Sequence, residues 1–400
     1  MTFNPRLDQL SDYPFQRLAA LLDDLPTPPG GGLVMSIGEP QHAAPALIGD
    51  TIAATGGWNR YPPIAGTPDY RAAVAGWASR RYGLPDGMVD PARHVLPAAG
   101  TREALYMIGQ VAVAADPAAR APLAIMPNPF YQVYLGAAVM NGAEPLMLPA
   151  GPDTGFLPDV AALPREVLDR AAMVFFCSPA NPQGAVAPLE TWIELVRLAR
   201  AHGFLLIADE CYSEIWRSAP PPGALDACRE LGGSLDNVLV FNSLSKRSSA
   251  AGLRSGVVIG DAAVIARFSR LRSYAAAGTP LPLLAAAAAL WADEAHVDDN
   301  RARYQAKMDA ADRILGPVLG RERVAPEGGF FLWLDVGDGE AMTRRLWAEA
   351  GIKVLPGRYL TRDEADGSNA GARYIRIALV HDQPVVEDAL TRIAALLAAG

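Results

Sequence analysis

Cysteine is scarce in this 400-residue sequence, which contains only Cys177, Cys211 and Cys228. The three are far apart and none stands in C-x-x-C spacing. The sequence therefore lacks a disulfide framework, and a structural zinc site is disfavoured, so we expect no bound metal. Because disulfide-poor chains are typical of reducing compartments, we expect a cytoplasmic protein that depends on a hydrophobic core.

Positive charge is also in deficit. Lysine and arginine number 35 against 43 acidic residues, which gives a formal net charge of −8 and a pI near 5.3. Nucleic-acid-binding proteins neutralise phosphates with clustered cations, so that class is disfavoured. Small molecules are the expected partners.

Long hydrophobic runs are missing as well. The longest Ala/Leu run, LPLLAAAAALWA, falls well short of the roughly 20 apolar residues that span a bilayer. The N-terminal sequence MTFNPRLDQL lacks a positively charged start followed by an apolar segment. We expect neither export nor membrane insertion.

What is present is the pattern of an α/β protein. Half of the residues are apolar and a fifth are charged, as in a globular chain with one large and one smaller domain. From about residue 94, strands and helices alternate, which predicts a mostly parallel, seven-stranded sheet covered by helices. The predicted strands are 94–96, 122–126, 144–148, 172–177, 204–208, 237–241 and 255–259. We expect a large domain over 50–285, a smaller α+β domain over 286–400, and an N-terminal arm, 1–49, that joins the smaller domain.

A serine-rich segment, FNSLSKRSSAAGLRSG, surrounds Lys246 and follows the apolar run VLVF. A buried amine with a lowered pKa is a nucleophile toward carbonyls, and hydroxyls with a guanidinium suit a phosphate monoester. Lys246, Ser243, Ser245 and Arg254 therefore suggest a site for pyridoxal 5′-phosphate (PLP). Taken alone, the segment is equally typical of a solvated Lys–Arg pair in a serine-rich turn.

Other candidate residues follow other predicted strands. Asp209 ends the apolar run FLLIAD, where a carboxylate needs a cationic partner such as the protonated ring nitrogen of PLP. Tyr212 and Asn181 could bond the ring hydroxyl, and Tyr131 could stack on the ring. Each has an ordinary alternative as a helix cap, a turn residue or core packing. Gly100 and Thr101 stand at a strand-to-helix turn, which suits an anion or a simple cap.

The order of these residues strengthens the interpretation. The groups 100–102, 128–134, 181–182, 209–212 and 243–246, and then Arg254, each follow a predicted strand of one sheet. In open α/β sheets ligands bind at the carboxyl ends of the strands. The sequence therefore predicts one site at one edge of the sheet.

The stretches SIGEP, NPFYQVY, SPANPQG, ADECYSEIW, SLSKRS and YIRIAL resemble the class I/II aminotransferases of PLP fold type I, nearly from end to end. The resemblance implies that Lys246 forms the Schiff base and shuttles the proton, and that Asp209 faces the pyridinium nitrogen. Tyr212 and Asn181 would bond the ring hydroxyl, and Tyr131 would stack on the ring.

The resemblance also implies a phosphate site and a substrate site. The phosphate site would be formed by Gly100, Thr101, Arg102, Ser243, Ser245 and Arg254. Arg376 would bind the substrate α-carboxylate, with Gly38 and Asn181 beside it. Tyr61 would reach the phosphate of a partner subunit, which implies a homodimer with two shared active sites.

Several stretches, VLPGRYL and DEAHV among them, are most similar to the bacterial succinyldiaminopimelate aminotransferases of lysine biosynthesis. The sequence departs from the pattern at Gln183 and over 274–281. We expect a second substrate carboxylate to be bound by Arg358, with Arg247 and Arg272 as further candidates. The alternatives are a broad aspartate, alanine or aromatic aminotransferase, a PLP β-lyase, or a PLP-binding regulator without turnover.

Overall fold

The computed structural model describes residues 3–114, 120–364 and 366–399. Each of the three predicted domain ranges also contains residues outside this description, namely 1–2, 115–119, and 365 with 400. The strands are β1 (Leu33–Val34), β2 (Val95–Ala98), β3 (Leu123–Asn128), β4 (Glu144–Pro149), β5 (Ala171–Cys177), β6 (Leu205–Asp209), β7 (Val238–Ser243), β8 (Gly256–Gly260), β9 (Phe331–Asp335), β10 (Ile352–Lys353), β11 (Leu355–Pro356) and β12 (Tyr374–Ala378).

Helices lie between most of these strands. They are α1 (Pro14–Leu22), α2 (Leu47–Ala54), α3 (Pro68–Tyr82), α4 (Thr101–Met107), α5 (Gly109–Ala112), α6 (Gln132–Met140), α7 (Arg165–Leu168), α8 (Leu189–His202), α9 (Ala224–Glu230), α10 (Leu244–Arg247), α11 (Ala262–Ala275), α12 (Leu281–Ala292), α13 (Ala295–Leu319), α14 (Gly339–Ala350) and α15 (Gln383–Ala398). Short 3-10 turns cover Pro5–Gln9, Pro29–Gly31, Pro152–Thr154, Ala251–Leu253 and Gly357–Leu360.

Seven strands form the large sheet, in the order β2-β8-β7-β6-β5-β3-β4. Strand β8 runs antiparallel to both of its neighbours, and the remaining pairs in the sheet are parallel. The predicted α/β class and the mostly parallel, seven-stranded sheet are confirmed. The predicted strands agree with the observed ones to within one or two residues at most ends.

The large sheet is buried on both faces. Along β5, Val174 and Phe176 point into one hydrophobic core, and Met173 and Phe175 point into another on the opposite face. This alternation is the two-residue period of a strand, and burial on both faces explains why the strands have near-continuous apolar sequences. Because the strand flanks are packed, a ligand can approach only at the strand ends.

The smaller domain is an antiparallel sheet, β11-β12-β9, packed against helices α13, α14 and α15. The N-terminal arm joins it through β1, which pairs in parallel with β10. The arm also contacts the large domain, where the Arg6 guanidinium donates a hydrogen bond to the carbonyl of Met140. Helix α1 packs on the smaller domain as well, with Leu18 and Leu22 in one hydrophobic cluster with Trp347, so the arm contacts both domains.

The predicted domain boundary at residue 285 falls inside α12. Leu284, Leu290 and Trp291 of this helix lie in the hydrophobic core of the large domain. The structure therefore favours a boundary after Ala292, where the smaller domain starts with α13. Among the described residues, no helix combines the length and apolar character needed to cross a membrane.

Candidate active site

A cavity of about 440 Å³ lies where the strand ends of the large sheet face the smaller domain. Most of the residues predicted from sequence line it: Gly38, Thr101, Arg102, Tyr131, Asn181, Asp209, Tyr212, Ser243, Ser245, Lys246, Arg254 and Arg376. They come from eight separated segments of the chain. The fold therefore brings together groups that are as much as 338 positions apart, from Gly38 to Arg376.

Lys246 lies on α10, which begins directly after β7. Its Nζ donates a hydrogen bond to the carbonyl of Gly38 and lies 5.4 Å from the centre of the Phe330 ring. Burial in this largely apolar setting lowers the pKa of Lys246 to about 8. About a tenth of the amine is therefore unprotonated, and so nucleophilic, at pH 7, far more than for a solvated lysine.

Asp209 ends β6 and is buried. Its Oδ2 accepts a hydrogen bond from the Tyr134 hydroxyl at 2.6 Å, and its Oδ1 accepts one from the Cys211 N–H at 3.3 Å. No cationic side chain in the described residues forms an ion pair with it, and burial raises its pKa. A buried carboxylate of this kind is suited to a cationic ligand group.

The neighbouring acid, Glu210, points away from the cavity. It accepts hydrogen bonds from the Tyr82 hydroxyl at 2.6 Å and from the Ala224 N–H at 2.8 Å, at the start of α9. Of the two acids in ADECY, Glu210 is therefore the helix cap and Asp209 is the site residue.

Ser243, Ser245, Thr101 and Arg254 line the cavity and supply hydroxyls and a guanidinium, which are groups suited to an anion. The two serine hydroxyls are 2.9 Å apart, and Thr101 begins α4. Gly100 adopts a φ of 88°, and a Cβ at this position would overlap the Arg254 guanidinium. Glycine is required here because the cation packs directly against the backbone.

Arg254 reaches this site in a way that differs from the sequence-based prediction. It precedes strand β8 rather than following a strand, and β8 is antiparallel to its neighbours. The N-terminal end of an antiparallel strand lies at the same sheet edge as the carboxyl ends of the parallel ones. The location of Arg254 at the shared edge is therefore as predicted, but the reason for it was wrong.

Arg376 lies on β12 and is buried. Its Nη1 donates to Asn181 Oδ1 at 3.0 Å and its Nη2 donates to the Ser36 carbonyl at 2.7 Å, while its Nε has no partner in the described residues. Burial lowers its pKa to about 10. The guanidinium lies 4.2 Å above the Phe331 ring, which Gly38 also approaches so closely that a Cβ would overlap it. A buried cation without a carboxylate partner is suited to an anionic ligand.

Two tyrosines form the walls of the cavity. Tyr212 is buried, which raises its pKa, and its ring packs edge-on against Phe330 at 5.4 Å. Tyr131 accepts a hydrogen bond from Arg102 Nε at 2.8 Å and packs edge-on against Tyr134. Both side chains are held in place by their neighbours.

Four residues predicted from sequence lie elsewhere in this single chain. Tyr61 is fully exposed, and Arg358 pairs with Asp363 at 3.3 Å outside the cavity lining. Arg247 and Arg272 were wrong as substrate candidates, because both are buried in the large domain and donate to backbone carbonyls there.

Several site residues were missed by sequence reasoning. Tyr134 holds Asp209, and its position three residues after Tyr131 was a usable signal, since both then lie on one face of the helix start. Cys211 contacts Thr101 Oγ1 at 3.2 Å. Tyr13, in the N-terminal arm, lines the cavity, and nothing in its local sequence indicates this.

Comparisons with known proteins give a consistent result. A family model described as aminotransferase class I and II matches residues 33–393. The solved structure of an aminotransferase from Neisseria meningitidis superposes with a TM-score of 0.91 at 40% sequence identity, covering 98% of this chain and 100% of that one.

Two curated relatives are similar over nearly their whole length. The chain is 32% identical over 388 residues to 4-dedimethylamino-4-oxo-anhydrotetracycline transaminase OxyQ of Streptomyces rimosus, covering 96% of this chain and 99% of the relative. It is 31% identical over 399 residues to the LL-diaminopimelate aminotransferase of Desulforudis audaxviator, covering 97% of this chain and 96% of the relative.

Proposed function

Because this chain belongs to the class I and II aminotransferases, a family that uses PLP, we propose that it transfers an amino group between glutamate and the keto acid of N-succinyl-LL-2,6-diaminopimelate. The observation that carries the reaction type is the buried Lys246 amine, placed in one cavity with the Asp209 carboxylate and the Arg376 guanidinium, neither of which has an ion-pair partner in the described ranges. Enzymes of this family act on amino acids and keto acids.

The residues of the cavity fit PLP. Asp209 is a buried carboxylate that pairs with no cation in the part of the chain that the structure describes, as the protonated ring nitrogen requires. Ser243, Ser245 and Arg254 supply hydroxyls and a guanidinium for the phosphate, and the Lys246 amine is available for the covalent link. When bound, PLP withdraws electrons from the substrate Cα and so makes its proton acidic.

The chain itself then performs three tasks. Arg376 binds the substrate α-carboxylate through its planar guanidinium, and Asn181 and the Ser36 carbonyl fix its orientation. Lys246 would hold the cofactor through its amine, and its unprotonated Nζ, when free, would accept the proton from the substrate Cα and become the ammonium. Phe330 and Phe331 form the apolar floor that keeps this amine desolvated.

The proposal includes a homodimer. Trp58, Tyr61 and Tyr274 expose 63%, 102% and 87% of their surface in the single chain. The segment 274–281 packs against the Tyr61 loop, since a Cβ on Gly278 would overlap Pro62. Large exposed aromatics on adjoining segments are typical of a protein interface, and a partner there would receive the Tyr61 hydroxyl.

The proposed substrate is supported by the stretches that are similar to succinyldiaminopimelate aminotransferases, such as VLPGRYL and DEAHV, and by the LL-diaminopimelate aminotransferase relative. That relative also favours a second candidate, in which free LL-diaminopimelate is the amino donor. Both substrates carry a carboxylate far from the reacting amine.

A panel of amino donors with 2-oxoglutarate as acceptor tests the proposal, with glutamate formation as the readout. It should contain N-succinyl-LL-diaminopimelate, LL-diaminopimelate, aspartate, alanine and tyrosine. We expect the highest kcat/KM with the succinylated donor. A higher kcat/KM with aspartate, alanine or tyrosine would overturn the proposed substrate. Release of ammonia and a keto acid without glutamate would indicate a lyase.

A further inference from the structure

The C-terminal end of α10, the helix that carries Lys246, is held by a side chain from another helix. Helix α10 has only four residues, and the carbonyls at the end of a helix have no partner within it. Asn300 on α13 supplies the partner, because its Nδ2 donates to the Lys246 carbonyl at 3.0 Å and to the Arg247 carbonyl at 3.2 Å. The backbone of Lys246 is therefore bonded to a helix of the smaller domain.

The orientation of the Asn300 amide is fixed by its partners. Backbone carbonyls can only accept hydrogen bonds, so the NH2 group must face them, and Oδ1 then accepts from the Ser249 hydroxyl at 2.9 Å. Ser249 adopts a φ of 48°, in the left-handed region where serine is uncommon. One buried amide thus makes three hydrogen bonds to the segment 246–249 and defines the path of the chain after α10.

The same face of α13 also supports the amine of Lys246. Tyr304 lies about one turn after Asn300 on this helix, and its ring stacks on Phe330 with 5.1 Å between the ring centres. Phe330 is the ring that lies 5.4 Å from Lys246 Nζ. Helix α13 therefore contacts both the backbone of Lys246 and the apolar floor beneath its amine.

Asn300 does not line the cavity, so any effect that it has on the reaction must pass through Lys246. The Lys246 amine can accept a proton only when Nζ lies within hydrogen-bonding distance of the substrate Cα and in line with the C–H bond. A displacement of about 1 Å in such a group can lower a rate by about 10²-fold. Small movements of α10 are therefore enough to affect the proton transfer.

We propose that Asn300 is a positioning residue, which holds the end of α10 so that Lys246 Nζ is directed at the substrate Cα. Through this bond the placement of the reacting amine depends on α13, and so on the smaller domain. The effect on proton transfer rests on the proposed function, whereas the placement of the amine does not. Asn300 touches neither substrate nor cofactor and is not a catalytic residue.

Asn300→Leu tests the proposal, because it removes both donors with little change in side-chain size. In the glutamate half-reaction, the apparent dissociation constant for glutamate should change less than about twofold, since Arg376 still binds the carboxylate. The maximal rate constant should fall about tenfold, the scale of one lost hydrogen bond.

A second measurement on the same variant does not involve turnover. In cofactor-free Asn300→Leu, the pKa of Lys246 should rise from about 8 toward the ordinary lysine value, because a loosened α10 admits water to the amine. Lysine-selective NMR at a series of pH values measures this midpoint. A role for Asn300 in overall stability alone would leave the midpoint of the folded protein unchanged.

Three further variants separate the bonds of Asn300. Asn300→Asp keeps the acceptor for Ser249 but lacks both donors, so it should show the same loss of maximal rate, and it provides the test if the leucine variant does not fold. Ser249→Ala removes only the third hydrogen bond and should stay within about twofold of the wild-type rate. Asn141→Leu is the matched control, because the Asn141 amide donates to the Ala137 carbonyl at 2.8 Å at the end of α6, outside the cavity lining.

Wild-type rates in both Asn300 variants, or an unchanged Lys246 pKa in Asn300→Leu, would overturn the proposal. Equal losses of rate in Asn141→Leu or Ser249→Ala would also overturn it, as would weaker glutamate binding that accounts for the whole loss. If the wild-type enzyme gives no half-reaction with glutamate but the Lys246 pKa still rises in Asn300→Leu, the proposed function fails and the placement of the amine by Asn300 is supported.

Discussion

At the scale of single residues, the central property is the lowered pKa of Lys246. The sequence contains only three lysines, Lys246, Lys307 and Lys353, so lysine-selective NMR labelling gives a simple spectrum. In the cofactor-free enzyme we expect the Lys246 signal to titrate near pH 8, because burial disfavours the charged amine. The signal is identified by its absence in Lys246→Ala. A midpoint at the ordinary lysine value, about 10.4, would show that the amine is solvated.

Replacing Asp209 with asparagine should have opposite effects on stability in the cofactor-free and the PLP-bound enzyme. In the cofactor-free enzyme the buried carboxylate is not paired with a cation in the described residues, so Asp209→Asn should raise Tm. With PLP present, the amide cannot pair with the ring nitrogen. The rise in Tm on adding PLP should therefore shrink, and turnover should fall about tenfold or more, since one pKa unit corresponds to about 1.4 kcal/mol. If the Tm of the variant rises on adding PLP by as much as that of the wild type, the role of Asp209 is contradicted.

Lys246, Asp209 and Ser243 could be predicted from the sequence because each stands at the end of an apolar strand, and strand ends meet at one sheet edge. Tyr13 could not be predicted, because its position over the cavity depends on how the arm packs on the large domain. The Asp209–Tyr134 bond was within reach, since both residues lie in segments that were assigned to the site.

At the scale of elements, strand positions were predictable, but strand direction was not. The apolar pattern of β8 is the same whichever way the strand runs, so its antiparallel pairing was invisible in the sequence. Helix α12 shows a similar limit. The domain boundary predicted at residue 285 divides it, whereas the helix packs as a whole against α2 and α3 of the large domain.

Helix α13 carries a buried lysine that links it to the N-terminal segment. Lys307 Nζ contacts His42 Nε2 and donates to the Leu379 carbonyl at 3.2 Å, near Arg303 and Asp382. Burial lowers the pKa of Lys307 to about 7. Between about pH 7 and pH 10 the unfolded chain then binds a proton that the folded chain does not, so stability rises with pH.

Lys307→Met removes this dependence. From pH 7 to pH 9, the free energy of unfolding of the wild type should increase relative to the variant, by up to about 1.4 kcal/mol per pH unit. Urea denaturation of both proteins at each pH measures the difference, and contributions from titrating groups that do not contact Lys307 cancel. Parallel pH profiles would show that the Lys307 amine is charged in the folded state.

At the scale of the whole molecule, the proposed dimer makes the Tyr61 prediction testable. A mixed dimer of Tyr61→Phe and Lys246→Ala subunits has one site with both defects and, if sites are shared, one site with neither. That intact site should bind PLP with wild-type affinity and give about half of the wild-type activity per dimer. Tyr61→Phe homodimers should bind PLP more weakly by about 1 kcal/mol, the scale of one hydrogen bond. An active site in the mixed dimer with the weakened affinity would mean that Tyr61 serves its own subunit, and unchanged affinity in the Tyr61→Phe homodimer would mean that it serves neither.

The most direct test of the account is a single half-reaction. The purified, PLP-loaded enzyme is mixed with glutamate and no keto acid, and the cofactor absorbance and the 2-oxoglutarate released are followed together. We predict that the visible absorption of the lysine-bound cofactor is lost and that one equivalent of 2-oxoglutarate appears per site, while Lys246→Ala shows neither change. Unchanged absorbance, or release of ammonia in place of the aminated cofactor, would contradict the assignment as an aminotransferase.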